Sequence, residues 1–192
     1  MSRRVHLLRL AGRVVAATPA RRLLAGDLAR RIRLRAGRQV DVTMARAVVD
    51  ALEAGGVPYV LIGGWGVDAL LGRQTRPHLD LDVVVDGSVP NLLVRVDVAL
   101  AAVGLRPVGE ETSIPPLPTV WVYAGNHATV DILPADLAAP PFDVDGAIAS
   151  GRIDGRPAAC VSAEVQRRLR TGYKHRSADR DDLATLANLP PQ

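Results

Sequence analysis

Val60-Leu-Ile-Gly-Gly-Trp-Gly-Val-Asp-Ala-Leu-Leu-Gly72, continued by Arg73-Gln-Thr-Arg-Pro-His-Leu-Asp-Leu-Asp82, is the stretch of this 192-residue chain that decides its fold. Val57 to Ile62 is a short β-branched and apolar run, which reads as a buried strand. Gly63–Gly64 then turns that strand into a short helix, Trp65 to Leu71, closed by Gly72. Leu79 to Val85 reads as a second strand. Without Cβ atoms at the turn, backbone N–H groups can approach phosphate oxygens closely, and a helix N-terminus favours their negative charge. A tight strand-to-helix turn with no ligand has the same local sequence, so Gly63 and Gly64 alone do not separate the two readings.

Asp80-Leu81-Asp82 adds chemistry to the turn. On a strand, residues two apart share a face, so both carboxylates project together while Leu81 and Val83 face the core. Neighbouring carboxylates repel, and each resists burial as an anion. A hard divalent cation removes that penalty, and Mg²⁺ is typically held by one or two carboxylates together with substrate phosphates. A solvated strand face is the plainer reading of a lone Asp-x-Asp, but this strand is otherwise Leu and Val. Asp131, centred in the apolar run Thr129-Val-Asp-Ile-Leu133, again asks for a metal or a partner. Three strand-borne acids fit a two-metal phosphoryl-transfer site.

Outward from this centre the pattern is of a small mixed α/β domain. Residues 5–16 and 20–35 read as helices, the second with Leu24, Leu28 and Ile32 in an apolar stripe among arginines. Thr43 is a candidate N-cap for a helix to about Ala54, ended by Gly55–Gly56. Residues 89–103 read as a helix stopped by Gly104. Thr119–Tyr123 and Ala128–Leu133 form an expected hairpin around Gly125–Asn126. Helical segments near 162–171 and 178–188 close the chain. The expected organisation is an arginine-rich helical extension over 1–40, a core over 41–140 and a C-terminal helical segment over 141–192.

The net charge of +4 hides an asymmetry. Residues 1–40 hold eleven Arg and one acid, Asp27, whereas residues 41–192 hold thirteen basic and nineteen acidic side chains. A basic arm on an acidic body suits a polyanion or membrane-surface partner, or is a solvated arginine face in a chain with 23 Arg and one Lys. Cys160 is the only cysteine, which excludes an internal disulfide and reads as a small buried hydrophobe. No apolar run approaches the ~18 residues of a membrane span. Arg9 and Arg13 interrupt the first apolar stretch, unlike a secretory core, so a cytoplasmic protein is expected.

The residues from Gly63 to Gly72 and the pattern Thr75-Arg-Pro-His-x-Asp-x-Asp82 resemble the aminoglycoside 2''-type and lincosamide nucleotidyltransferases of the polymerase-beta superfamily. Thr171-Gly-Tyr and Asp179-x-x-Asp182-Leu183 are similar to that family's closing motif. The resemblance spans about residues 45–188 with gaps. It implies a polymerase-beta-like sheet flanked by helices, Mg²⁺ (two ions), and transfer of a nucleoside monophosphate from a nucleoside triphosphate, ATP first, to a hydroxyl. By that resemblance Asp80 and Asp82 bind the metals, and Asp131 is a third ligand or the general base on the acceptor. Gly63 and Gly64 would hold the triphosphate. Candidates beside them are Thr75 and Arg76, His78 (near phosphate or metal, or in a capping or loop role) and Lys174, the sole lysine.

Three functions follow. The first is antibiotic resistance, by nucleotide transfer to an aminoglycoside or lincosamide; an acidic body suits a cationic acceptor. The family's N-terminus does not obviously include the arginine-rich segment, which opens a second: a toxin–antitoxin type enzyme modifying the acceptor end of transfer RNA, with residues 1–40 contacting RNA. The third is a non-catalytic module with a basic arm.

Overall fold

The computed structural model describes residues 39–112, 119–171 and 175–189. These lie in the compact unit Arg38–Gln192. The helices expected over 5–16 and 20–35 fall outside the described residues, as does Lys174.

The first element, α1 (Val42–Ala54), is capped two residues before the expected position. Asp41 takes that role: its Oδ1 accepts a hydrogen bond from the Met44 N–H at 2.8 Å. A carboxylate one position outside the first turn also complements the helix dipole, which a threonine hydroxyl cannot do. The helix buries Ala45, Val48, Val49 and Leu52. β1 (Tyr59–Leu61) follows, then α2 (Gly63–Leu71) and β2 (Leu81–Asp86). The glycine pair is therefore the first turn of α2, not a loop ahead of it. Ile62 is its N-cap in extended conformation, and its carbonyl accepts from Gly66 N–H at 3.0 Å. Because β2 begins at Leu81, Asp80 sits just before the strand and only Asp82 lies on it.

The chain continues through α3 (Leu92–Ala102), β3 (Arg106–Thr112), β4 (Thr119–Gly125), β5 (Ala128–Ala135), β6 (Ile148–Ile153), β7 (Arg156–Val161), α4 (Ala163–Leu169) and α5 (Ser177–Ala187). The strands form one mixed sheet in the order β3-β4-β5-β2-β1-β7-β6. β2 pairs with β5 and β1 with β7 in parallel, and the remaining neighbours are antiparallel. Two tight turns make the hairpins. Asn126 and His127 (φ 47 and 63) join β4 to β5, and Asp154 and Gly155 (φ 51 and 71) join β6 to β7. Two successive positive φ values give the twist that adjacent antiparallel strands require.

Residues 141–192, expected to be helical, thus also contribute a hairpin to the sheet. β3 is likewise unanticipated. It is a polar edge strand with Pro107 in it, and its register shifts between Pro107 and Gly109.

Each sheet face has its own apolar cluster. On one, Leu81, Val83, Val85, Val130 and Ile132 pack beneath α1 and α3. On the other, Val60, Val84, Val120 and Leu133 pack against Phe142 and Ala147 from the β5–β6 connection and Val165 of α4. Val67, Ala163 and Leu186 hold α2, α4 and α5 together. Cys160 is fully buried, and burial pushes its thiol up to about 11. Among the described residues, no helix is long and apolar enough to cross a membrane.

Candidate active site

The alternation of β2 sends Leu81, Val83 and Val85 to the helix-covered face and Asp82 and Val84 to the other. Parallel pairing with β5 then sets Asp82 directly opposite Asp131. The β1–α2 junction closes on the same point, because the Ile62 N–H donates to the Asp82 carbonyl at 3.1 Å. Three segments distant in sequence therefore bring an aspartate pair beside a helix N-terminus that no side chain caps.

Gly63 makes this junction possible. Its φ is +64, and a Cβ there would overlap Asp82 Oδ2 and lie 3.0 Å from the Asp82 Cγ. Gly64 is restricted by neighbours of its own: a Cβ would come within 2.5 Å of His78 Nδ1 and 2.6 Å of Arg76 Nη2. The diglycine thus admits three side chains to the first turn of α2.

The electrostatics follow from this crowding. Burial, then the charges of Asp80 and Asp131, hold the Asp82 carboxyl well above the usual carboxylate range, while Arg176 and Arg170 pull the other way. Three half-buried acids near one another are under-compensated. Among the described residues, no three His, Cys, Asp or Glu side chains already converge closely enough to hold one metal ion.

The loop between α2 and β2 is pinned by a buried carboxylate. Asp68 accepts hydrogen bonds from Thr75 Oγ1 at 2.5 Å and Thr75 N–H at 3.0 Å. Its Oδ2 also meets His78 Nε2 at 2.5 Å. A carboxylate only accepts, so Nε2 carries the shared proton. The His78 ring lies against Trp65 with centroids 4.9 Å apart, and Asp68, His78 and Trp65 are all buried. The exposed Thr75 and the buried His78 are thus both tied to Asp68, which fixes the path of the chain into Asp80.

Arg76 turns to the C-terminal helices. Its Nε and Nη2 donate to Asp182 Oδ1 and Oδ2 at 3.0 and 2.9 Å, and Arg170 Nη2 donates to the same Oδ2 at 3.0 Å. Arg170 Nη1 also donates to Gln166 Oε1 at 2.5 Å. Burial works against the Asp182 anion, but the hydrogen bonds and charges of its two arginines outweigh it and hold the carboxyl below its ordinary range. Asp179, three residues earlier, accepts from the Arg176 N–H at 2.8 Å and so caps α5. The C-terminal motif therefore divides its labour: one acid starts the helix, and the other clamps two cations beside the aspartates.

Of the residues singled out from sequence, Asp80, Asp82, Asp131, Gly63, Gly64, Arg76 and His78 are brought together around the start of α2, and Thr75 joins them through Asp68. Sequence reasoning missed Asp68, Gln166, Arg170 and Arg176. The one available signal was α5, where Asp182 lies four residues before the buried Leu186 and so on the same helix face.

The sequence model of the aminoglycoside-2''-adenylyltransferase family matches residues 44–186, most of the chain and all of this site. The chain belongs to that family. It is a nucleotidyltransferase. A lincosamide resistance protein of Staphylococcus haemolyticus is 25% identical over 160 residues, 74% of this chain and 91% of that protein. A 2''-aminoglycoside nucleotidyltransferase of Klebsiella pneumoniae is 30% identical over 133 residues, 65% of this chain and 70% of the relative. Among solved structures, the lincosamide antibiotic adenylyltransferase LnuA with lincomycin bound superposes with a TM-score of 0.57 at 25% identity, covering 73% of this chain and 92% of that one. Within the family, the aspartates, the diglycine and the Arg76–Asp182–Arg170 clamp all fall inside the matched residues.

Proposed function

We propose that this adenylyltransferase-family chain moves AMP from ATP to a hydroxyl of a cationic antibiotic, an aminoglycoside first and a lincosamide second, with Mg²⁺ bound by Asp80, Asp82 and Asp131. The observation that carries this reading is the register of Asp82 opposite Asp131 beside the uncapped first turn of α2. The chemistry of the donor set fits the metal. Crowded carboxylate oxygens are hard ligands, and the displaced Asp82 carboxyl marks negative charge that a divalent cation would relieve. Because no three of these groups already share one point, substrate phosphates would complete the coordination. Bound there, the metal would polarise the α-phosphoryl group and offset charge on the departing pyrophosphate.

The chain's own residues do the remaining work. Backbone N–H groups of Gly63 and Gly64 face the triphosphate, and Arg76, held over Gly64, supplies positive charge at its edge. Asp131 accepts the proton of the acceptor hydroxyl as its oxygen bonds to the α-phosphorus and the bond to pyrophosphate breaks. A carboxylate beside cations is a modest base, so most of the acceleration comes from positioning and charge neutralisation. The excess of acids over bases in residues 41–192 suits a polycationic acceptor.

The test incubates the full chain with each α-labelled nucleoside triphosphate, Mg²⁺, and either an aminoglycoside–lincosamide panel or total RNA. Label from ATP should appear on an antibiotic and vanish with Asp80→Ala or Asp82→Ala. Label confined to RNA, or no transfer from any nucleotide, would overturn the proposal.

A further inference from the structure

Arg76 and Arg170 share a single carboxylate. Their two guanidiniums and Asp182 sum to one unneutralised positive charge, packed where only 4% of the Asp182 side chain meets solvent. That charge stands beside the acids of the site: Arg76 is attracted to Asp80, and Arg170 to Asp82. Yet the side-chain hydrogen bonds of both arginines run to Asp182, Gln166 and the Pro77 carbonyl, with none to Asp80 or Asp82 among the described residues. A guanidinium pairs bidentately with any carboxylate within reach, so what keeps these two off the site is the better-placed acid behind them.

We infer that Asp182 is a positioning residue that restrains Arg76 and Arg170, and so keeps the Asp80, Asp82 and Asp131 oxygens available to a divalent cation. The inference rests on the metal reading proposed above. Without Asp182, a released Arg76 would fold onto Asp80 and compete with the cation for the same oxygens. The clamp is thus a guard against self-inhibition by an internal ion pair.

The experiment measures Mn²⁺ binding to the full chain by electron paramagnetic resonance, which needs no turnover. Asp182→Asn should weaken Mn²⁺ binding by roughly tenfold or more, the range for removing a group that orients metal ligands. Asp182→Glu, which keeps the charge, should stay near wild type. Asp181→Asn, a charge change on the exposed side of the same helix, should do nothing. Arg76→Gln leaves a one-to-one pair of Arg170 with Asp182 and should tighten Mn²⁺ binding, and this variant keeps the test open if Asp182→Asn fails to fold. In transfer assays, the Asp182→Asn defect should shrink as Mg²⁺ is raised. Equal Mn²⁺ affinity in wild type and Asp182→Asn, or weaker binding in Arg76→Gln, would overturn the inference alone. A wild-type chain that binds no Mn²⁺ with or without nucleotide would overturn the proposed function, and this inference with it.

Discussion

Gly63→Ala tests the geometry of the site most directly, because two separable costs act on it. The first is conformational: Gly63 has φ +64, where a residue with a Cβ loses ~1–2 kcal/mol. The second is steric: the new Cβ would overlap Asp82 Oδ2 and lie 3.0 Å from the Asp82 Cγ. The Asp82 backbone cannot retreat, since its carbonyl accepts from Ile62 N–H and its strand is paired to β5 on the other side. The carboxylate must rotate instead, and an off-rotamer side chain costs ~0.5–1.5 kcal/mol. The expected loss is about 1.5–3.5 kcal/mol, at roughly 2–4 °C of melting temperature per kcal/mol for a domain of this size. Gly155→Ala isolates the first cost, because Gly155 has φ +71 but nothing within 4 Å of an added Cβ. Thermal melts of both variants should place Gly63→Ala lower, by the steric increment. Transfer activity should survive in Gly155→Ala and fall by about 10²-fold in Gly63→Ala, the effect of moving one reacting-site group by an ångström. If the two melt alike, or Gly63→Ala stays active, the carboxylate does not lie over the first turn of α2 and the assembly described here is wrong.

Further outcomes follow from individual side chains. Asp82 has a raised folded pKa, so the folded state holds its proton more tightly than the unfolded one. The contribution of Asp82 to stability should therefore be fully present in the ordinary carboxylate range and below, and decline as pH rises through the raised value. Asp82→Asn should flatten that decline in melts recorded with chelator, and an unchanged slope would mean the acids are better solvated than the geometry allows. His78→Ala leaves the buried Asp68 without one partner and should cost ~3 kcal/mol in denaturant melts. A collapse of turnover with unchanged stability would instead place His78 on substrate. Tyr123→Phe removes a 2.6 Å hydrogen bond to Asp97 on the opposite sheet face. It should cost ~1 kcal/mol, with transfer intact in the same labelled assay.

Much of the fold was legible because the decisive segments carry strong local signals. The β1–α2–β2 stretch announces itself through an apolar run, a glycine pair and alternating Asp and Leu, and the β4–β5 hairpin through Gly125–Asn126, although the turn itself falls one residue later, on Asn126 and His127. The β6–β7 hairpin had a signal as plain, Asp154–Gly155, but its flanks include Gly151, Arg152 and Arg156, which blur the alternation. β3 carries Pro107 and two glutamates, and only pairing along the sheet edge makes a strand of it. The N-cap of α1 failed by two residues for a similar reason: Asp41 and Thr43 are both good caps, and the tertiary path through Val40, bridged to His78, selects the first.

The acids that converge here stood out in the sequence, whereas of the cations beside them only Arg76 did, and the asymmetry is physical. An acid in an apolar strand violates the local pattern, so Asp82 and Asp131 stand out from their neighbours alone. An arginine on a helix violates nothing, and in a chain with 23 of them Arg170 carries no local mark. Its role exists only once α5 brings Asp182 against both it and Arg76, a contact spanning 106 residues for Arg76. The glycines illustrate the same distinction. Read locally, Gly63–Gly64 is a bare backbone waiting for phosphate; in the fold, its missing Cβ atoms also make room for Asp82, His78 and Arg76. A phosphate at α2 would therefore meet a turn whose sides are already walled by a carboxylate and a guanidinium. Those walls give the turn a chemistry that an isolated Gly-Gly lacks: under the proposed function, one would recruit the metal, and the other would meet the charge the metal leaves uncovered.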